Sequence, residues 1–439
     1  MAPLRRVLPP CGVAMTVLTA AAAERAPPSR LWNRDFFLLW QGQLVSQLGS
    51  QAAFVAMMLW TLEATGSPGT MALLMITSSL PGVLLGPIAG VLVDRHGRKA
   101  LLVGGDVARG LVALGVGAVL VRAPSDASLV LPALFLSAVV SGVAGAVFGP
   151  AVRSALPDLV PPHRLAAGNS LTTMGGQVSS LLGLAAGGAA YAAVGPAVLF
   201  IADGISYLLS ALTEAFIRLP RGSHRTRDGR LRSALARYAA EAAEGLRYCL
   251  ADPGRRGFIG IAGGLNFLFM PIFVLLPVYV GSVLGAGLAW YGFLLSGLSA
   301  GSLLGLLCAG SIGDRERVRG RALSIALVAT GAGMALLGLA ADPWQALALL
   351  RLIGALTGMV NVLVITLMQV RTPPELRGRA MAVLISVTGA ATPLGLALGG
   401  GLGELAGGQV RSIFVLAGAA AVALSAGVLA RPPVRAFLG

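Results

Sequence analysis

The sequence predicts an all-α membrane protein, with about twelve transmembrane helices in two pseudo-symmetric six-helix bundles. Three observations carry that expectation. The 439-residue chain is 56% hydrophobic and only 12% charged, with a mean hydropathy of +0.81; soluble domains hold roughly 25% charged residues. Its apolar runs reach the ~20 residues needed to cross a bilayer. They fall near 36–62, 70–93, 99–122, 127–152, 167–194, 197–217, 257–282, 287–312, 321–340, 345–370, 379–406 and 409–430. Third, the chain repeats itself. An offset of 212 residues puts Pro161-Pro162 on Pro373-Pro374, and Ser180 to Gly188 (SLLGLAAGG) on Thr392 to Gly400 (TPLGLALGG). Leu84-Leu85-Gly86 likewise matches Leu303-Leu304-Gly305, and Asp94-Arg95 matches Asp314-Arg315. Ordered matches at a nearly constant offset point to duplication.

A formal charge of +15 suggests a nucleic-acid partner, but the placement of the charges argues against one. Of 33 basic residues, only Arg122 and Arg411 fall in loops after odd-numbered spans, while Arg109 and Arg351 fall inside spans. The other 29 lie in the tails or in loops after even-numbered spans. This is the positive-inside pattern, which places both termini in the cytoplasm. Arginine outnumbers lysine 32 to 1, as in GC-rich bacterial genomes, so the expected location is a bacterial cytoplasmic (inner) membrane. The expected organisation is a cytoplasmic tail over 1–33, a six-helix bundle over 34–218, a cytoplasmic linker over 219–256, a second bundle over 257–431 and a tail over 432–439. The apolar run from Cys11 to Ala23 reads as part of an uncleaved tail, or of a start assigned ahead of Met15, rather than as a signal peptide.

Taken in order, the first span carries Gln43, Ser46, Gln47 and Ser50 at spacings of three and four. Such a stripe is unfavourable against lipid, so it lines either a substrate cavity or a seam between helices. The second span runs into the turn Gly90 to Lys99 (GVLVDRHGRK). Gly90 allows close helix approach and Gly97 a tight turn. Asp94 can pair with Arg98 or meet a helix N-terminus. The turn therefore reads as a conformational latch at the cytoplasmic face; the plainer reading is that Arg95, Arg98 and Lys99 set topology and bind lipid headgroups. In the third span, Asp106 and Arg109 share a face and can neutralise one another or join that gating network. The fourth and fifth runs rest on length and apolarity, the fifth being rich in glycine.

The sixth span places Asp203 about seven residues from its outer end, with no basic residue one turn away. A charge at mid-membrane costs at least about 2.5 kcal/mol unless paired or hydrated. Asp203 is thus either a proton carrier, with Asp106 and Arg109 as further coupling candidates, or a carboxylate held by hydroxyls such as that of Ser206. Glu214, four before Arg218, reads as a helix-end pair, and Glu63 and Glu404 as solvated outer ends. The linker has apolar residues at helical spacing (Leu231, Leu235, Tyr238, Ala242, Leu246 and Leu250), which predicts an amphipathic helix along the membrane face. The seventh span offers Asn266, Phe269 and Met270, either as cavity wall for a hydrophobic, loosely specified ligand or as interhelix contacts. Pro271 and Pro277 are expected to bend it. The eighth span ends in an eroded copy of the latch, Asp314-Arg315, which lacks the second glycine. In the tenth, Arg351 can attract an anionic substrate group, or simply pack against a carbonyl or snorkel. The ninth, eleventh and twelfth runs rest on length and apolarity.

Gly90, Asp94, Arg95, Gly97, Arg98 and Lys99 resemble, in spacing and type, the loop 2–3 signature of the major facilitator superfamily. Phe36 to Ser46 (FFLLWQGQLVS), Phe148 to Ala151 (FGPA) with Leu156 to Val160 (LPDLV), and Ala202 to Tyr207 (ADGISY) resemble its drug and siderophore exporter branch, which includes macrolide and enterobactin exporters. The resemblance covers roughly residues 32–430. It implies proton-coupled efflux of an amphipathic small molecule by alternating access. No cofactor is expected beyond the proton motive force. The expected partners are that substrate and the lipid bilayer, with no nucleic acid and a monomeric protein. One departure concerns direction: antiporters of related branches carry Gly-Pro in the fifth helix, whereas here Gly183 is followed by Leu184, with Gly187 and Gly188 kept. A symporter or facilitator importing a nutrient is the alternative, and a membrane-embedded enzyme or transport-dead sensor the alternative of another class. The sequence has no Gly-x-x-x-x-Gly-Lys-Ser/Thr loop to cradle ATP phosphates. The cysteines Cys11, Cys249 and Cys308 have no metal or redox spacing. No convergent catalytic cluster is seen, so the chain is not expected to be an enzyme.

Overall fold

The computed structural model describes residues 30–219, 231–312, 316–405 and 409–438. Lipid supplies no hydrogen-bond partners, so an apolar run can satisfy its own backbone only as a helix. The first four spans are α1 (Arg34–Thr65), α2 (Pro68–His96), α3 (Arg98–Arg122) and α4 (Ala127–Leu159). After a 3-10 turn at Pro162–Arg164, α5 (Leu165–Ala215) holds the fifth and sixth spans in one run. It is broken at Gly195, whose φ of 76° and ψ of 174° are not helical. Pro196 follows the break and lacks the amide that would bridge it. The connection between the halves contains α6 (Leu231–Ala251). Spans seven to twelve are α7 (Pro253–Ser282), α8 (Ala289–Ser311), α9 (Glu316–Leu339), α10 (Pro343–Val370), α11 (Pro374–Leu405) and α12 (Val410–Leu429), followed by a short α13 (Pro432–Leu438).

Among the described residues, ten helical stretches are long and apolar enough to cross a membrane, and one of them, Pro162–Ala215, contains two spans. The remaining span is α1, whose apolar character is diluted by Gln41, Gln43, Gln47 and Gln51. Helix starts follow local chemistry. Asn33, Ser67, Asp126, Asp252 and Asp342 each accept a backbone N–H at an N-cap, and Pro68, Pro253 and Pro343 open the first turn. The seventh span, α7, stays one continuous helix through Pro271 and Pro277.

In the first half α1 packs on α5, α2 on α4, and α3 on the second limb of α5, where Gly110 meets Gly204. In the second half α7 packs on α11, α8 on α10 and α9 on α12. Each pair has its counterpart six spans away, so the packing repeats along with the sequence. The linker helix α6 lies against the start of α11, where Glu244 pairs with Arg379.

One end of the bundle carries α6, α13 and the α2–α3, α4–α5, α8–α9 and α10–α11 connections. This is the basic end. The halves meet through α5 with α8 and α2 with α11, and they are closed at the opposite, far end. A Cβ at Gly188 would lie 2.6 Å from the Ala289 carbonyl oxygen, and one at Gly292 2.4 Å from that of Leu184. The two backbones touch because neither position has a side chain. Ser296 Oγ donates to Leu181 O at 2.9 Å. Glu404 accepts from the Ser67 hydroxyl and, at 3.1 Å, from Gly69 N. The sequence reading left Glu404 merely solvated; in the fold it crosses between halves to the N-terminus of α2, where the helix dipole favours an anion. Glu63, read the same way, accepts from the Tyr191 hydroxyl. Toward the basic end α2 and α11 are more exposed. Leu84 on α2 is 64% exposed and Ile385 on α11 65%, and Gly82 and Gly86 face open space.

Candidate functional site

Two sites adjoin one another in the fold. The first is a cavity of about 310 Å³ between the halves. Its polar groups are Gln51 from α1, Gln177 and Ser180 from α5, Ser299 and Ser302 from α8, and Thr357 from α10; Phe54, Phe269, Phe273 and three leucines supply the apolar wall. None of the lining side chains is ionisable. Phe269 and Phe273 stack edge to face, with centroids 5.4 Å apart. Gln51 Nε2 donates to Ser180 Oγ at 2.9 Å, and Ser180 Oγ lies 3.2 Å from Ser299 Oγ. That chain runs from α1 through α5 into the second half.

The second site is sealed inside the first half. Arg109 on α3 lies with its guanidinium carbon 5.3 Å from the Phe148 ring centroid and 5.4 Å from that of Tyr207. Its Nη1 is 3.9 Å from Asp106 Oδ1 and its Nη2 is 3.4 Å from Ser141 O. Asp106 is 0% exposed, Glu214 1% and Asp203 6%. Among the described residues neither carboxylate oxygen of Glu214 has a hydrogen-bond partner, while the Ser210 hydroxyl is the side-chain group that faces Asp106. Asp203 Oδ1 lies 3.2 Å from Ser50 Oγ, which is 2.7 Å from the Tyr207 hydroxyl and 2.8 Å from Ser46 O. The Ser50 proton can go to only one of Asp203 and Ser46 O at a time, while the Tyr207 hydroxyl can either accept it or donate its own proton to Ser50 Oγ, so the bonding of this hydroxyl depends on the state of its neighbours. Among the described residues, Arg109 is the only cation acting on the three carboxylates. Full ionisation would leave two uncompensated negative charges in a low-dielectric interior, which is costly.

The geometry is that of a carrier, and the comparisons agree with it. A family model described as Major Facilitator Superfamily matches residues 39–322 and 272–436. The chain belongs to the major facilitator superfamily. Its relatives within the superfamily include an uncharacterized MFS-type transporter, y4rN, of Sinorhizobium fredii, 28% identical over 90% of this chain and 95% of the relative. Macrolide efflux protein A of Streptococcus pyogenes is 24% identical over 84% of this chain and 89% of that protein. Multidrug efflux pump Tap of Mycobacterium tuberculosis is 27% identical over 84% and 87%. The fold is shared with the nucleoside transporter NupG (TM-score 0.70, 11% identity, 91% of this chain and 99% of that one) and with a D-xylose–proton symporter (TM-score 0.66, 16%, 89% and 97%). This facilitator is a multi-pass membrane transporter and not an enzyme.

Within the facilitator fold, the residues read in the sequence as either cavity wall or interhelix contacts fall on the second of those readings. Gln43, Ser46 and Ser50 face the seam between α1 and α5, and the Gln47 amide oxygen points toward Gly176 of α5; none lines the cavity. The cavity face of α1 is the adjacent one, bearing Gln51 and Phe54. Asn266 Oδ1 accepts from Thr392 Oγ1 at 3.0 Å, and Met270 packs on Gly395. Both are therefore α7–α11 contacts, while Phe269 and Phe273 reach the cavity. Arg351 is exposed and lies outside it. Glu214 does not pair with Arg218 at a helix end: it turns inward to act on Asp106, and the Arg218 backbone N–H instead donates to Asp35 Oδ1 at 3.4 Å. Asp203 has no cation on its own helix, but Arg109 acts on it from α3.

Of the turn Gly90 to Lys99, Gly90, Asp94 and Arg95 lie in the last turns of α2. Gly97 makes the turn at φ 78°, Lys99 opens α3, and Arg98 pairs with Asp158 at the end of α4. Asp314 and Arg315 lie outside the described residues. The cavity positions that sequence reading missed had a faint signal: Ser299 and Ser302 are three apart on α8, as are Gln177 and Ser180 on α5.

Proposed function

We propose that this facilitator is a proton-driven exporter of uncharged amphipathic small molecules. One observation carries the reading. Ser50, hydrogen-bonded to Asp203 in the sealed acidic cluster, precedes Gln51, hydrogen-bonded through Ser180 to Ser299 across the halves. A change of protonation at Asp203 alters what the Ser50 hydroxyl bonds to, and the same helix carries that change to the seam that must part during alternating access. Asp106, Glu214 and Arg109 complete the proton site, since loading a proton relieves the excess of carboxylates over cations. The cavity's amides, hydroxyls and phenyl rings suit a neutral, partly apolar cargo. Export is favoured over import because macrolide efflux protein A and multidrug efflux pump Tap, two relatives matched over most of their length, are named for efflux. The energy source is the proton motive force, with no bound cofactor, and the protein acts as a monomer in the bilayer.

The basic end is assigned to the cytoplasm of a bacterial inner membrane, so the described state opens inward. A single cysteine placed at the C-terminus of a cysteine-free variant should resist membrane-impermeant maleimide in whole cells and react after lysis. Labelling in whole cells would overturn the orientation. The transport reading is tested in inverted vesicles holding an acid interior. Adding chloramphenicol, an uncharged amphipathic probe, should release protons from wild type and not from vesicles lacking the protein. Proton uptake with the substrate from the opposite face would establish the importing symporter instead.

A further inference from the structure

A second, larger cavity, about 940 Å³, opens on the flank of the bundle at its basic end, remote from the transport path. It is bounded by α9, the end of α12 and α13. Three arginines, Arg317, Arg321 and Arg435, stand in its lining, and no carboxylate does. Behind them the wall is apolar, with Ile325, Val328 and Leu429. The site is built rather than incidental. A Cβ at Gly320 would lie 2.1 Å from Leu438 O, so α13 can seat against α9 there. Phe437 stacks on Phe258 with centroids 5.1 Å apart, pinning α13 to α7 as well. Arg435 Nε donates to Leu429 O at 2.9 Å, which fixes the guanidinium and leaves its two terminal nitrogens for a ligand.

We propose that this cavity binds an anionic phospholipid, with the headgroup phosphate on the three arginines and the acyl chains along Ile325, Val328 and Leu429. Guanidinium groups bind phosphate oxygens bidentately. The α9 and α12 ends, where the chain leaves the bilayer, set the arginines at headgroup depth. The apolar wall runs from there into the hydrocarbon, a shape that fits a lipid and not a free anion. Such basic pockets between helices at the cytoplasmic side are suited to acidic headgroups, and each basic side chain near the headgroups contributes about fivefold in affinity (~1 kcal/mol). The lipid would tie α13 to α9 and α12, fixing the C-terminal end of the second half as a unit.

The test uses the full chain purified in a mild non-ionic detergent and native mass spectrometry with phosphatidylglycerol or phosphatidylcholine. Wild type should retain phosphatidylglycerol at least about fivefold better than phosphatidylcholine. The combined variant Arg317→Gln, Arg321→Gln, Arg435→Gln should lose that preference, and the corresponding Lys variant should keep most of it. Millimolar inorganic phosphate should not displace the lipid; displacement would assign the arginines to a free anion. A second readout needs no charge variant: brominated phosphatidylglycerol should quench a tryptophan introduced by Val328→Trp more than brominated phosphatidylcholine does. Equal retention of the two lipids by wild type, equal quenching, or an undiminished preference in the Gln variant would each overturn the proposal.

Discussion

Replacing Asp203 by asparagine is expected to abolish proton-driven accumulation while leaving downhill exchange of substrate intact. Asparagine keeps the shape and can still accept from Ser50, but it cannot take up and release a proton. At ~100 mV and one pH unit, one proton per neutral substrate supplies about 3.7 kcal/mol, or roughly a 500-fold gradient at equilibrium. The variant should bring that ratio to about one, without loss of membrane insertion. Asp203→Glu, which restores a titratable group, should recover part of it. Glu214→Gln serves as the comparison, because the two carboxylates sit in one sealed cluster and share Arg109 as their cation. If Asp203→Asn keeps wild-type coupling to the pH gradient and Glu214→Gln loses it, the carrier is the Asp106–Glu214 side of the cluster. Wild-type coupling in both would remove the cluster from the mechanism.

Gly292→Leu should block transport by more than about tenfold for a different reason. The added side chain would start 2.4 Å from the Leu184 carbonyl oxygen and under 3 Å from the Gly188 backbone, neither of which can rotate away. Overpacking of this kind costs about 1–3 kcal/mol or forces the helices apart. The halves would then be held open at the far end, and a cysteine replacing Ser180 in the cavity should react with impermeant maleimide from that side. The native cysteines would first be changed to serine. Gly281→Leu, on the same half but facing open space, should transport normally. A Gly292→Leu protein that moves substrate at the wild-type rate would mean that the far end does not close during the cycle.

The spans, their order and the duplication were legible because each follows from local sequence: a run of apolar residues, the sidedness of arginine, a repeated string. The turn at Gly90 to Lys99 was legible for the same reason, since its spacing is contained in ten residues. The site was read only in part. Asp106, Arg109 and Asp203 stood out because charges in apolar runs are conspicuous. Glu214 looked like an ordinary helix end, as a sequence shows neither helix rotation nor how far the helix extends into the bundle. Likewise α1 carries polar groups over more than one face, and only its packing on α5 decides that Ser50 serves the acidic cluster while Gln51 serves the cavity.

By itself, then, the sequence determined the membrane-spanning architecture, its two-fold repeat and the presence of unpaired charge in the first half. These are set by hydropathy and backbone hydrogen bonding along the chain. The tertiary structure alone decided which polar residues face one another: the Asp106–Glu214–Asp203 cluster around Arg109, the Gln51–Ser180–Ser299 chain, and the Glu404 contact to α2. Those pairings link residues far apart in the chain, and they depend on the rotation of each helix about its axis. A turn of that axis by one residue exchanges one face for another.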